Sequence, residues 1–204
     1  MLYLVATGSG LETASKHIGV IVGPRQRGIR PIREGRRWAA DNDAFHGKFT
    51  EEAFLKHLSR FDAYQKTCIF VAAPDVVGDS AKTGELFQHW GPRIRALGFP
   101  AAWVAQDGAT PRDIPDCDAV FIGGSTDWKL SSEAFAICKA AKERGLWIHM
   151  GRVNSQRRCA LAAAMGVDSV DGTHTAFKGL FAGLAEIERW TDYASKTREQ
   201  WRIL

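Results

Sequence analysis

Carboxylates, an amide and paired glycines recur in this sequence directly behind short apolar runs: Asp41-Asn42-Asp43, Asp75, Gln106-Asp107, Gly123-Gly124, Gly151-Arg152 and Asp171-Gly172. If those positions converge in a fold, the acids need a reason, because unpaired buried charge is costly and like charges raise one another's pKa. Catalysis or metal binding is the usual reason, and recognition of a purine is another. Guanine presents N1–H and its exocyclic amine as adjacent donors that one carboxylate accepts together. Its O6 accepts from an amide NH2 or from a backbone N–H near glycine. Asp75 and Gln106, with Gly123 and Gly124, supply that complement. A further carboxylate can then attack the anomeric carbon of the sugar and hold it as a covalent glycosyl-enzyme until a new base displaces it.

The apolar runs that must carry these residues are Leu2 to Ala6, Ile18 to Val22, Trp38 to Ala40, Cys68 to Ala73, Ala101 to Ala105, Ala119 to Ile122, Leu146 to His149 and Ser169 to Val170, eight candidate strands. Amphipathic segments separate most of them: Glu51 to Tyr64, Ser80 to Leu97, Ser131 to Arg144 and Ser155 to Met165, with a long closing helix from about Phe177 to Lys196. Thr50-Glu51-Glu52 and Ser131-Ser132-Glu133 read as helix starts, and Gly98, Gly145 and Gly166 as stops. Alternation of this kind implies parallel strands. Eight of them favour a compact α/β architecture, a (β/α)8 TIM-type barrel shorter than the ~250 residues typical of that fold, with an open doubly wound sheet as the alternative. A barrel gathers its chemistry at the carboxyl ends of the strands, which is where the polar residues stand.

The chain has 204 residues, enough for one domain, and its 45% hydrophobic and 25% charged content is that of a globular protein. Its first residues carry no basic leader and no run long enough for a signal peptide or a membrane span, so a cytoplasmic protein without membrane contact is expected. Cys68, Cys117, Cys138 and Cys159 are widely spaced, and no His cluster accompanies them, so neither a structural zinc nor a cofactor is expected. Between Arg25 and Arg37 lie six arginines, Arg25, Arg27, Arg30, Arg33, Arg36 and Arg37, against the single acid Glu34. A Gly/Pro-rich, Arg-dense loop suits a polyanion, because guanidinium groups make bidentate hydrogen bonds to phosphate. A solvated basic loop is the plainer reading of the same residues.

From about Trp38 to Thr173, the order of these motifs resembles the tRNA-guanine transglycosylases. That family has an Asp in an Asp-Ser-Gly-Gly turn, a later Asp behind a strand, a Gln-Gly turn, a Gly-Gly turn, a Met-Gly turn and a closing Gly-Ile/Val-Asp-x-x-Asp segment. Here Asp41, Asp75, Gln106, Gly123-Gly124 and Met150-Gly151 stand in that order before Gly166-Val167-Asp168-Ser169-Val170-Asp171. The resemblance implies Asp171 as nucleophile, Asp41 as acid/base, Asp75 and Gln106 as readers of the guanine edge, and Met150 as a packing surface for the ring. Two departures qualify it. Asn42-Asp43-Ala44 replaces Ser-Gly-Gly, so that Asp43 competes with Asp41, and the family's Cys/His zinc subdomain has no counterpart. A small, zinc-free member is similar to those of phages and bacteria that insert 7-deazaguanine derivatives into DNA. The implied partners are therefore DNA, or else tRNA, and a free 7-deazaguanine base; a homodimer is compatible with the family.

Other readings stand beside this one. A glycosidase or nucleoside hydrolase would use water in place of the incoming base, and a non-catalytic nucleic-acid-binding module would use only the Arg25 to Arg37 loop. A metal-dependent phosphoesterase lacks matching histidines. Asp168 reads as a capping acid and His149 as a satisfied core histidine. His46 and His174 lie near strand ends, within reach of phosphate or substrate. Trp128-Lys129 and Arg152-x-Asn154 can touch a nucleic-acid backbone, while Trp190 and Trp201 read as packing residues.

Overall fold

The computed structural model describes residues 1–7 and 10–201, and among them eight parallel strands close into a barrel in sequence order, each hydrogen-bonded to the next and the last to the first. The strands are β1 (Leu2–Ala6), β2 (Ile18–Val22), β3 (Trp38–Ala40), β4 (Cys68–Ala72), β5 (Ala101–Ala105), β6 (Ala119–Ile122), β7 (Trp147–Met150) and β8 (Ser169–Asp171). Helix α1 (Arg30–Arg33) follows β2; α2 (Glu51–Ser59) follows β3; and α3 (Ser80–Ala96) follows β4. Behind β6 come α4 (Thr126–Lys129) and α5 (Ser132–Glu143), behind β7 α6 (Gln156–Ala164), and behind β8 α7 (His174–Lys178) and α8 (Leu180–Trp201). The TIM-type barrel expected from the alternating pattern is the fold. No helix among the described residues is long and apolar enough to cross a membrane.

Strand alternation divides the apolar residues into two cores. Leu2, Leu4, Ile21, Ala39, Phe70, Ala72, Ala102, Val104 and Ala119 fill the barrel, with Phe121 and Trp147 packed against them. Residues at the intervening positions, such as Tyr3, Val20, Trp38, Val71, Trp103, Ile148 and Val170, face the helices. Helix starts are fixed by side-chain caps. The hydroxyls of Thr50, Ser131 and Ser155 and the carboxylate of Asp79 accept the backbone N–H three residues on, at α2, α5, α6 and α3 respectively.

Two segments depart from expectation. The helix expected over Glu51 to Tyr64 stops at Ser59 and continues as a 3-10 segment, Asp62–Thr67. The long closing helix is split at Gly179, whose φ of 80° ends α7.

Candidate active site

Parallel strands deliver their following residues to one mouth, and a cleft of about 530 Å³ opens there. Its wall contains Asp41 from the end of β3, Asp75 past β4, Gln106 past β5, Gly123 past β6, Gly151 and Arg152 past β7, and Asp171 at the end of β8. Phe45, Val77, Val104 and Phe121 give it apolar faces.

One wall is a hydrogen-bonded chain. Asn42 donates from Nδ2 to Oδ1 of Asp75 at 2.9 Å and to the Ala73 carbonyl at 2.7 Å, while its own Oδ1 accepts the Ala44 N–H at 2.7 Å. Gln106 donates from Nε2 to Oδ2 of Asp75 at 2.6 Å and accepts the Gly78 N–H on Oε1 at 3.1 Å. Both amides are thus locked with their NH2 groups toward Asp75, whose carboxylate is oriented from both sides and keeps lone pairs on each oxygen. Burial raises the Asp75 pKa, and the hydrogen bonds from Asn42 and Gln106 oppose the rise. Asn42 is only 2% exposed. It is the member of this wall that sequence reasoning missed, although it stands next to Asp41.

Opposite lie the two other carboxylates. Asp171 accepts the Arg152 backbone N–H on Oδ1 at 2.6 Å, and its side chain is 21% exposed toward the cleft. Among the described residues no hydrogen bond engages its Oδ2. Asp41 is pushed up to about 6, first by burial and then by the negative charge of Asp171, with the Asn42 backbone N–H pulling the other way. The pair therefore has the division that acid–base chemistry needs, one carboxyl held toward protonation by burial and then by the charge of its neighbour.

Arg152 shapes the third side. Its backbone is left-handed, with φ of 60°, and its guanidinium donates to the carbonyls of Gly123 at 2.9 Å and Gly124 at 2.5 Å while covering the Phe45 ring at 4.8 Å. Arg152 is thus a wall of the cleft. Lys129, 3% exposed, donates to the Gly151 carbonyl at 2.6 Å; burial first and Arg152 second push its pKa down to about 8. It holds the peptide that presents the Arg152 N–H to Asp171, a role its place behind β6 did not reveal.

Several expected site residues stand elsewhere. Asp43 has a left-handed backbone and makes a bidentate pair with Arg25 at 3.0 and 3.1 Å, off the cleft wall, so that of the two it is Asp41 that lines the cleft. Met150 is buried in the layer between strands and helices, because it alternates with His149, and so offers no face to a bound ring. Gly124 packs against Trp128 and Asp107, and the N–H groups of Gly123 and Gly124 both go to the Ala105 carbonyl. Asp107 holds Ser125 at the start of α4, and Asp168 holds Lys142 and the Ile148 N–H. His174 pairs with Glu186 at 2.6 Å and packs on Trp190. The side chains of His46 and Trp201 lie outside the described residues.

The arginine-rich stretch is not one patch. Arg25 is paired with Asp43, and Arg30 with Glu34 and Glu12. Arg36 donates to the carbonyls of Leu11, Ala14, Ser15 and Ile18, and Arg37 lies over Trp147, both at the end of the barrel opposite the cleft. Arg27 and Arg33 are exposed.

No family model and no curated protein matches the chain. Solved structures do resemble it in shape. The 3-hexulose-6-phosphate synthase of Salmonella typhimurium superposes with a TM-score of 0.59 at 15% identity, over 98% of this chain and 100% of that one. A putative fructose-1,6-biphosphate aldolase of Coccidioides immitis gives 0.59 at 10% identity, over 98% and 87%. The Amycolatopsis orientalis BexX/CysO complex gives 0.56 at 16% identity, over 98% and 80%. At such identities the likeness is one of fold.

Proposed function

We propose that this protein exchanges a guanine base in nucleic acid, DNA in preference to tRNA, for a 7-deazaguanine derivative through a covalent glycosyl-Asp171 intermediate. The observation that carries this reading is the meeting of Asp41, Asp75, Gln106 and Asp171, from four separate strand ends, around one cleft. The order in which these motifs stand in the sequence, which resembles the tRNA-guanine transglycosylases, also supports it.

In this reading Asp75 accepts guanine N1–H and N2–H, and the Gln106 amide donates to O6. Oδ2 of Asp171 attacks C1′ of the sugar; the C1′–N9 bond breaks as the C1′–O bond forms, and Asp41 gives its proton to N9 of the departing guanine. The incoming base binds in the same place and returns its N9 proton to Asp41. Its nitrogen then displaces the Asp171 carboxylate, restoring the enzyme. With a pKa of about 6, Asp41 can serve as acid and then as base near neutrality.

The test is incubation with a guanine-containing DNA duplex, or with tRNA, and a labelled 7-deazaguanine derivative. Incorporation of label with stoichiometric release of guanine is expected, greater in DNA. Guanine release without incorporation would make the protein an N-glycosidase, and binding with neither would make it a non-catalytic module.

A further inference from the structure

Beneath the cleft, inside the barrel, runs a column of polar side chains that the exchange reaction as described does not use. Trp147 and His149 alternate on β7, and Ser169 and Asp171 on β8; the two strands pair with His149 opposite Ser169. The Trp147 indole N–H donates to Ser169 Oγ at 2.9 Å, and Ser169 Oγ lies 2.9 Å from His149 Nδ1. His149 is 0% exposed, its ring between Phe70 at 4.9 Å and Phe121 at 4.5 Å. Its Nε2 has no hydrogen-bond partner among the described residues, and Oδ1 of Asp171 lies 3.8 Å from it.

The column favours one place for the imidazole hydrogen. Ser169 Oγ accepts the indole N–H, and His149 Nδ1 is the acceptor within reach of its own hydrogen among the described residues; with that hydrogen donated to Nδ1, the ring hydrogen belongs on Nε2. The opposite tautomer would aim the Nε2 lone pair at a carboxylate. An unpaired donor in an apolar core is costly, and a core histidine with no function would be expected to have found a partner. Here the gap to hydrogen-bond length is about 1 Å, a movement that a side chain at the cleft floor can make.

We infer that His149 is a positioning residue for Asp171: its Nε2–H closes onto Oδ1 as negative charge returns to the carboxylate when the incoming base breaks the glycosyl ester. This rests on the transglycosylase reading. In that second half-reaction the C1′–O bond cleaves and its electron pair goes to Asp171, which His149 stabilises as the departing group with no net proton transfer.

Two substitutions separate this role from packing. His149→Met keeps the volume but removes the donor, whereas His149→Gln keeps an N–H. With DNA and deazapurine, the Met variant is expected to accumulate the covalent protein–DNA adduct and to lose about ten- to a hundredfold in kcat at unchanged KM for the base, and the Gln variant to recover most of it. A folded Met variant that turns over at the parent rate overturns the inference. Independently of activity, 15N spectra of ring-labelled histidine should show hydrogen on Nε2 and none on Nδ1. The Nε2–H signal should move in Asp171→Asn, and the Nδ1 nitrogen signal should shift in Ser169→Ala, which removes its hydrogen-bond partner. An Nδ1–H tautomer in the parent, or an Nε2–H signal indifferent to Asp171→Asn, overturns the inference whether or not the Met variant folds. If the parent exchanges no base while the spectra behave as expected, the transglycosylase reading fails and the coupling of His149 to Asp171 stands.

Discussion

Each carboxylate of the cleft is set to a different task by its immediate neighbours. Asp171 is held by one backbone N–H and has a second oxygen unengaged, the disposition of a nucleophile. Replacing it with Asn preserves shape and that contact, so thermal unfolding should be nearly unchanged while exchange and covalent adduct are lost; wild-type exchange in this variant would remove Asp171 from the mechanism. Because the charge of Asp171 is the second cause of the raised Asp41 pKa, the same substitution should also lower the Asp41 midpoint from about 6. In the proposed exchange, single-turnover release of guanine by the parent needs protonated Asp41. It should therefore fall as pH rises through about 6, and this fall should vanish in Asp41→Asn. Asp75 is different, being clasped by two amide NH2 groups. An Asn there places a third NH2 against one of them and against the guanine donors, so preference for guanine over adenine should drop by orders of magnitude. Unchanged preference in competition assays would assign guanine recognition elsewhere.

The strands and caps were legible at the level of elements because their causes are local. β-branched and aromatic runs of fixed length, Ser/Thr/Asp caps and glycine stops each act within a few residues. The polar strand ends could be read as one site once the strands were taken as parallel. What escaped was whatever depends on the angle between neighbouring elements. Asp43 stands off the cleft that Asp41 lines, because a left-handed backbone turns its carboxylate onto Arg25. Met150 misses the cleft through the two-residue alternation of β7, which puts His149 inside. Asn42, Lys129 and Phe45 join the site through contacts across the barrel mouth that no local pattern encodes. The turn after β6 shows how tightly one element constrains the next. A Cβ on Gly123 would sit 2.6 Å from Val104 Cγ1 and 3.2 Å from Gln106 Nε2. Gly123→Ala should therefore push aside the buried Val104 side chain and the Gln106 amide, lowering Tm and cutting exchange at least about tenfold. A variant that loses Tm without losing activity would contradict this.

On the scale of the whole molecule, the question is which face meets a polymer. The chain carries a formal charge of +4, and the densest run of arginines gives the impression of one basic surface. The fold divides that run: Arg36 and Arg37 stand just before β3, at the end of the barrel away from the cleft, where they bind carbonyls and a tryptophan ring. A strand whose base enters the cleft cannot also reach them. At the mouth, the arginines in the first turn of α6, Arg157 and Arg158, line a groove with Asn154 and Ser155, a few residues beyond the Gly151 and Arg152 wall of the cleft. No acidic side chain among the described residues pairs with either. If these residues grip phosphates while the base is read below, Arg157→Ala with Arg158→Ala should weaken binding to DNA of any sequence. It should also reduce the slope of log affinity against log salt by about two, one counterion-releasing contact for each residue. Arg37→Ala should leave that slope unchanged, because its guanidinium is spent on Trp147 at the opposite end. Uptake of a free deazapurine into the cleft should be the same in all three proteins, since a lone base never reaches the groove. Fluorescence anisotropy of a labelled duplex across a salt series reads both slopes. A reduced slope in Arg37→Ala with none in the paired variant would put the polymer on the other face and separate it from the cleft.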